Sequence, residues 1–339
     1  MSPKNIPALL IVFLLCPFAA PQPAPAAKII IDTDIGDDID DVFAIDLALA
    51  SPEVQVLGLS AAWGDTALRA RMLDRLTCEL GRTGIPIQAG ITTKTATAFT
   101  QKPWAEQGIA RPHGDAVTFL LDQIKQHPGE ITLLAIGPLT NIGAAIDRDP
   151  ATFRKLKRVV MMGGAIHRGY DHGPGSTTAT PPEPEYNIAR DPAAAQKLFQ
   201  SGVPIYMLPL DSTQLKFDDT KRALLTTLST PMTDALQLLT AEWQHATNNT
   251  TPTLFDPVAA AYAIDPATCP MTPLHIEVDA NGLTRATPGA PNAQACLSPH
   301  PEAFFPLLMP RLLNQKLAGS QVCTGLTKQS SQHASAHSH

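Results

Sequence analysis

Between Asp32 and Asp41 the chain places six carboxylates in ten residues, Asp32-Thr33-Asp34-Ile35-Gly36-Asp37-Asp38-Ile39-Asp40-Asp41. The apolar run Ile29-Ile30-Ile31 comes directly before them and the helical pattern Val42-Phe43-Ala44-Ile45 directly after. Carboxylates so crowded repel one another and raise each other's pKa values unless a hard cation takes their charge, and oxygen ligands on a flexible loop suit Ca²⁺. A buried strand that opens into a loop and then a helix sets these side chains at the carboxyl end of a parallel sheet, where open α/β folds bind ligands. One or two Asp are explained as helix caps that complement the helix dipole, but this cluster exceeds that need. An EF-hand fits the alternation of Asp32 and Asp34 and then fails. Its loop needs Gly at the sixth position and a bidentate Glu at the twelfth, which counting from Asp32 are Asp37 and Phe43.

The rest of the chain supplies the partners that such a strand needs. Apolar strands (Val54 to Ser60, Ile131 to Ile136, Arg158 to Met162, Val203 to Leu208) alternate with helical stretches (Leu68 to Leu80, Ala116 to Gln126, Ala193 to Phe199, Pro231 to Ala246). That alternation predicts βαβ units: a single α/β domain, a largely parallel central sheet flanked by helices, Rossmann-like in outline. Leu274 to Val278, the Asn281-Gly282 turn and Leu283 to Thr287 read as a hairpin near the end.

The N-terminus reads as an export signal, with Lys4 as a minimal positive region, Ile6 to Cys16 as an apolar core and Ala24-Pro25-Ala26 as a small-x-small cleavage site. This core is too short for a stable membrane anchor. Leu15 stands where a lipoprotein would carry a small residue before Cys16. The expected organisation is a signal peptide over residues 1–26, a catalytic domain over 27–317 and a disordered polar tail over 318–339, in a periplasmic or secreted protein. Cleavage removes one charged side chain, Lys4, so the formal charge of −6 becomes −6 − 1 = −7. A mildly acidic chain lacks the basic surface that sequence-independent nucleic-acid binding requires. Cys269 and Cys296 bracket the hairpin and could pair in an oxidising compartment, connectivity being undecidable from spacing. Cys78, inside a helical pattern, is expected to be a buried small apolar residue.

Taken together, Asp32, Asp34, Gly36 and the pair Asp40-Asp41 resemble the N-terminal signature of the inosine-uridine-preferring nucleoside hydrolases: an apolar strand, Asp-x-Asp-x-Gly, then Asp-Asp opening a helix. Two extra residues separate Gly36 from the pair, so Asp37 and Asp38 compete with Asp40 and Asp41 for the family's roles. Asp40 and Asp41 are favoured because the helix starts after them. The likeness continues in family order from about Lys28 to about Leu313. Ile131 to Ile142 resembles a strand and turn whose backbone carbonyl at Ile136 ligates calcium, and Val159 to Gly164 matches another strand end, with Met162 at the substrate. Glu185-Tyr186-Asn187 matches a ribose clamp, and Asp256, in Leu254-Phe255-Asp256-Pro257, the last calcium carboxylate.

The resemblance implies Ca²⁺ held by Asp34, Asp41, Asp256 and the Ile136 carbonyl, with Asp34 also taking a proton from the attacking water. Asp40, Asp65, Met162, Glu185, Tyr186 and Asn187 would contact a small-molecule ribonucleoside, whose N-glycosidic bond is hydrolysed to free base and ribose. A dimer or tetramer is implied as well. Two departures concern the leaving group. Phe255 replaces the His that in many members protonates the base, and the family's Asn after the second strand appears as Asp65. Purine ribosides, whose bases stack and protonate on the ring, are therefore expected to be cleaved better than uridine. Trp63, Trp104, Trp243 and Tyr186 are candidate stacking partners. His113, His167, His172 and His245 fall elsewhere, with surface or capping roles expected, although His245 is the first alternative acid. Two other readings are a calcium-dependent riboside or sugar binder on the same scaffold, and a haloacid-dehalogenase-type phosphatase. The phosphatase leaves Asp40-Asp41 unexplained and meets Gly36 where Thr or Val is required.

Overall fold

A computed structural model of the chain describes residues 25–171, 180–315 and 323–324. Its strands are β1 (Ala27–Thr33), β2 (Val54–Ala61), β3 (Ile87–Ala89), β4 (Gly114–Asp115), β5 (Thr132–Ala135), β6 (Arg158–Met162), β7 (Ile205–Leu208), β8 (Thr272–Val278), β9 (Thr284–Thr287) and β10 (Ala293–Ala295). They form one sheet in the order β4-β3-β2-β1-β5-β6-β7-β10-β8-β9. Every pairing from β4 across to β10 is parallel, and β8 runs antiparallel to both β10 and β9. The β8–β9 pair is the hairpin expected from sequence.

Strand order reverses at β1. The chain winds outward from β1 through β2 and β3 to β4, returns to β5 on the other side of β1, and winds away again. Crossover loops leave in opposite directions from the carboxyl ends of β1 and β5, which opens a crevice there. β1 runs between two parallel neighbours with helices on both faces, and its continuous apolar run follows from that. Ile29 and Ile31 feed the core that contains the helices Asp40–Leu49 and Phe255–Ile264. Ile30 points to the opposite core, built on the helices Ala116–Gln126, Thr140–Arg148 and Pro192–Gln200. All three isoleucines are at most 1% exposed, and burial of each stabilises by about 1.5–3 kcal/mol. A polar substitution at Ile30 would break one of the two cores.

One core position goes against this pattern. Asp46, inside the Asp40–Leu49 helix, is 0% exposed, and neither carboxyl oxygen has a hydrogen-bond partner among the described residues. Burial alone drives its pKa well above the ordinary carboxylate value, because the apolar core disfavours the charged form.

Two disulfides close the chain. Cys269–Cys296 joins the segments around the hairpin as expected. Cys78 is corrected: it is bonded to Cys323, 245 residues away. Its helical context predicted a buried apolar residue, which misses a partner brought in by the chain's far end. Cys323 and Thr324 fall within the segment expected to be a disordered tail. Cys323 is nevertheless buried, and Thr324 forms a β-bridge with Gly108. The apolar core of the expected signal peptide and most of the expected tail lie outside the described residues, as does His172. Among the described residues no helix is long and apolar enough to cross a membrane.

Candidate active site

The loop after β1 turns at Gly36, whose φ is +118°. A Cβ there would fall 1.8 Å from the Phe99 ring, so both conformation and space require glycine. Six carboxylates enter this turn and the structure separates their tasks. Asp32 faces away from the crevice. One of its oxygens accepts from the Ser60 hydroxyl and, at 2.9 Å, from the Asn141 amide, fastening β1 to its neighbours. Asp37 pairs at 2.7 Å with the buried guanidinium of Arg69. Asp34, Asp37, Asp38, Asp40 and Asp41 line a cavity of about 300 Å³ at the carboxyl ends of β1, β5 and β6.

Asp40 and Asp41 open one helix and Asp256 lies in the first turn of another, Phe255–Ile264. These two helices pack together, and the Asp256 amide donates to the Asp40 carboxylate at 3.1 Å. One oxygen from each of Asp40, Asp41 and Asp256 lies within 4.8 Å of the others. Among the described residues they are the one cluster of His, Cys, Asp and Glu side chains close enough to share a metal ion. All three are buried, and burial followed by repulsion from neighbouring carboxylates holds their pKa values well above the carboxylate range. Two helix N-termini offset part of that charge. An all-oxygen, buried, unneutralised set of this kind fits a hard divalent cation such as calcium.

The triad includes Asp40, expected at the sugar, while Asp34, expected at the metal, lines the same cavity. Asp34 is still close enough for its charge to raise all three pKa values. Its own is raised to about 7, chiefly by burial, with Arg69 opposing. Burial likewise raises Asp38 to about 6.

Beside the acidic wall, Glu185 caps the helix Tyr186–Arg190. One Glu185 oxygen accepts from the Asn187 amide at 2.9 Å, the other from Gly164 at 2.9 Å and Ile188 at 3.2 Å. These donors oppose the burial that raises its pKa. The Asn187 side chain donates to the Met162 carbonyl at 3.2 Å, and the Tyr186 hydroxyl lies 2.9 Å from that of Thr97. Met162, Glu185, Tyr186, Asn187 and Ile136 all line the same cavity as the aspartates.

Asp65 does not. It is an exposed N-cap that accepts from the Leu68 amide at 3.0 Å, so its expected contact with substrate is corrected. An Asp that follows a strand and precedes a helix satisfies an orphan helix donor, and that requirement took the side chain. The outer wall of the cavity is formed by Tyr170, Trp243, Thr247, Asn249 and Phe255, with Tyr170 and Phe255 edge to face at 6.0 Å between ring centroids. Trp243 and Tyr186 are thus placed to stack. Trp104 is a buried residue under Arg75, and Trp63 does not line the cavity. His245 is exposed and does not line it either, and the His113 side chain is buried against Asp74 at 2.6 Å rather than on the surface.

Residues 29–306 match the family model described as inosine-uridine preferring nucleoside hydrolase. The chain is 37% identical over 203 residues to the probable uridine nucleosidase 2 of Arabidopsis thaliana, covering 55% of this chain and 60% of that protein. It spans about three fifths of the length of the curated relatives it matches. Among solved structures, a plant nucleoside hydrolase, the PpNRh1 enzyme, superposes with a TM-score of 0.74 at 26% identity, covering 86% of this chain and 100% of that one. A purine-preferring ribonucleoside hydrolase from Gardnerella vaginalis gives 0.70 at 26% identity, covering 84% and 98%.

Proposed function

The chain belongs to the inosine-uridine preferring nucleoside hydrolase family, and from that premise we propose that it is an exported, calcium-dependent hydrolase of the N-glycosidic bond of ribonucleosides. The observation that carries this is the cavity itself, in which the buried triad Asp40, Asp41 and Asp256 faces the polar wall of Glu185 and Asn187. The phosphatase alternative gives way to the family, which accounts for the whole of that wall.

Asp40, Asp41 and Asp256 would hold calcium, with the Ile136 carbonyl and Asp34 adjoining. When bound, the ion supplies positive charge that acidifies a water. Asp34 lines the cavity beside the triad and would serve as the general base. It takes the proton of the water that adds to the anomeric carbon as the bond to the base nitrogen breaks. Glu185 and Asn187 orient the sugar, and the surrounding negative charge stabilises the positive charge that develops on the ribosyl ring. Among the described residues no histidine lines the cavity, so the departing base would be stacked against Trp243 and Tyr186 and take its proton from solvent. That supports a preference for purine ribosides over uridine.

The test is a rate measurement with a nitrophenyl riboside, inosine and uridine, before and after exhaustive chelation. Calcium-restorable hydrolysis is expected. Ligand binding without turnover on the nitrophenyl substrate would favour the riboside-binding alternative. Turnover that survives chelation, with no bound calcium detected, would exclude the metal. For export, mass spectrometry of protein from the cell envelope is expected to find an N-terminus near Ala27, and an intact Met1 on cytoplasmic protein would refute it.

A further inference from the structure

We propose that Arg69 is a positioning residue for the cation site, a fixed internal counter-charge that holds the Asp32–Asp41 loop in the shape in which its carboxylates converge. The inference rests on the reading of the triad as a cation site and concerns what builds that site from behind.

Arg69 lies in the first turn of the helix Thr66–Glu79, and its side chain is 1% exposed. It reaches across to four acceptors on two different loops. Nη1 donates to the Asp34 carbonyl and, at 2.8 Å, to the Ile35 carbonyl. Nη2 donates to the Asp37 carboxylate at 2.7 Å, and Nε to the Trp63 carbonyl at 2.8 Å. Trp63 and Gly64 both have left-handed φ angles, +60° and +62°. A tryptophan holds that conformation at a cost, and the guanidinium bound to its carbonyl offsets it. The loop after β1 is therefore tied to the loop after β2 through a single planar fork. An ammonium has neither the five donors nor the fixed geometry to replace it.

The guanidinium is also a permanent positive charge beside Asp34, Asp37 and Asp41, each of which interacts with it electrostatically. It touches neither the triad oxygens nor the cavity, so it acts through the loop. Such a charge lowers the attraction of the site for any cation, and more for a trivalent than for a divalent one. Its geometric hold favours both ions equally. The two contributions are thus separable.

Calcium and terbium titrations on the full-length protein provide the test, with near-ultraviolet circular dichroism reporting the fold. Arg69→Gln is expected to lose at least tenfold in calcium affinity while the ratio of terbium to calcium affinity rises severalfold. Arg69→Lys should keep the native ratio but bind calcium more weakly, because the ammonium cannot satisfy all four acceptors. Asp37→Asn removes the one carboxylate that accepts from the arginine, which is also a charge lining the cavity, and should move the ratio downward; this variant carries the test if Arg69→Gln does not fold. Native affinity and native ratio in Arg69→Gln would overturn the inference. So would a parallel loss for both ions with the ratio unchanged, or a ratio in Asp37→Asn that moves the same way as in Arg69→Gln. If the unaltered protein binds neither ion, the cation reading itself fails.

Discussion

Replacing Asp46 by Asn should make the protein more stable, and increasingly so as the pH rises. Asp46 is 0% exposed with no hydrogen-bond partner for either oxygen among the described residues, and burial drives its pKa well above the ordinary value. In the unfolded chain the same group titrates near pH ~3.9. Above that pH the folded state must keep a proton that the unfolded state has released. Its stability therefore falls by about 1.4 kcal/mol per pH unit until the folded pKa is passed. The contribution is fully present below the unfolded pKa and is lost on raising the pH, opposite to the behaviour of a salt-bridged carboxylate. Asn has nearly the same shape and takes up no proton. At pH 4 the two proteins should be of similar stability, and the variant should gain about 1.4 kcal/mol for each further pH unit up to the folded pKa. Guanidinium unfolding of both proteins at pH 4, 5, 6 and 7 measures it, and the difference cancels the titration of every other group. A difference that does not change with pH would mean that Asp46 is ionised and paired in the folded state, which would refute the argument.

Within the cavity, Asp34→Asn should lower turnover by 10² or more while calcium binding measured by calorimetry persists, whereas Asp41→Ala should lose both; equal, modest losses in the two would remove the division of labour. Phe255→His should raise turnover on uridine more than on the nitrophenyl riboside, because only a poor leaving group needs the added acid. Uridine outrunning inosine in the unaltered protein would instead point to a proton donor other than solvent.

The legible parts of this molecule were those whose chemistry is concentrated along the chain. Six aspartates in ten residues announce a cation, and the long apolar runs of β1, β2 and β6 announce buried parallel strands. β3, β4 and β10 have only three, two and three residues, too few for any period to show. Asp65 was misread because an Asp ahead of a helix has two possible duties, and only the folded chain reveals that Leu68 claims it. Arg69 left no signal. Three of its four acceptors are main-chain carbonyls, which every residue possesses, and they come from loops some thirty residues apart. Spacing shows that the carboxylates share a loop, but which oxygens meet Asp256 depends on how two helix starts abut.

The bond between Cys78 and Cys323 gives the molecule an unusual response to cutting. Everything between these residues, including β3 through β10, the clamp and Asp256, lies inside one covalent ring. A protease that nicks the backbone once anywhere in that ring opens it without releasing a fragment, and the two new ends remain tethered through sulfur. β1 and the aspartate loop enter the ring from Cys78, so they stay covalently joined to the clamp after such a cut. In oxidising surroundings the chain is thus held together through its first cleavage. The same nick in a reducing buffer would let the halves part.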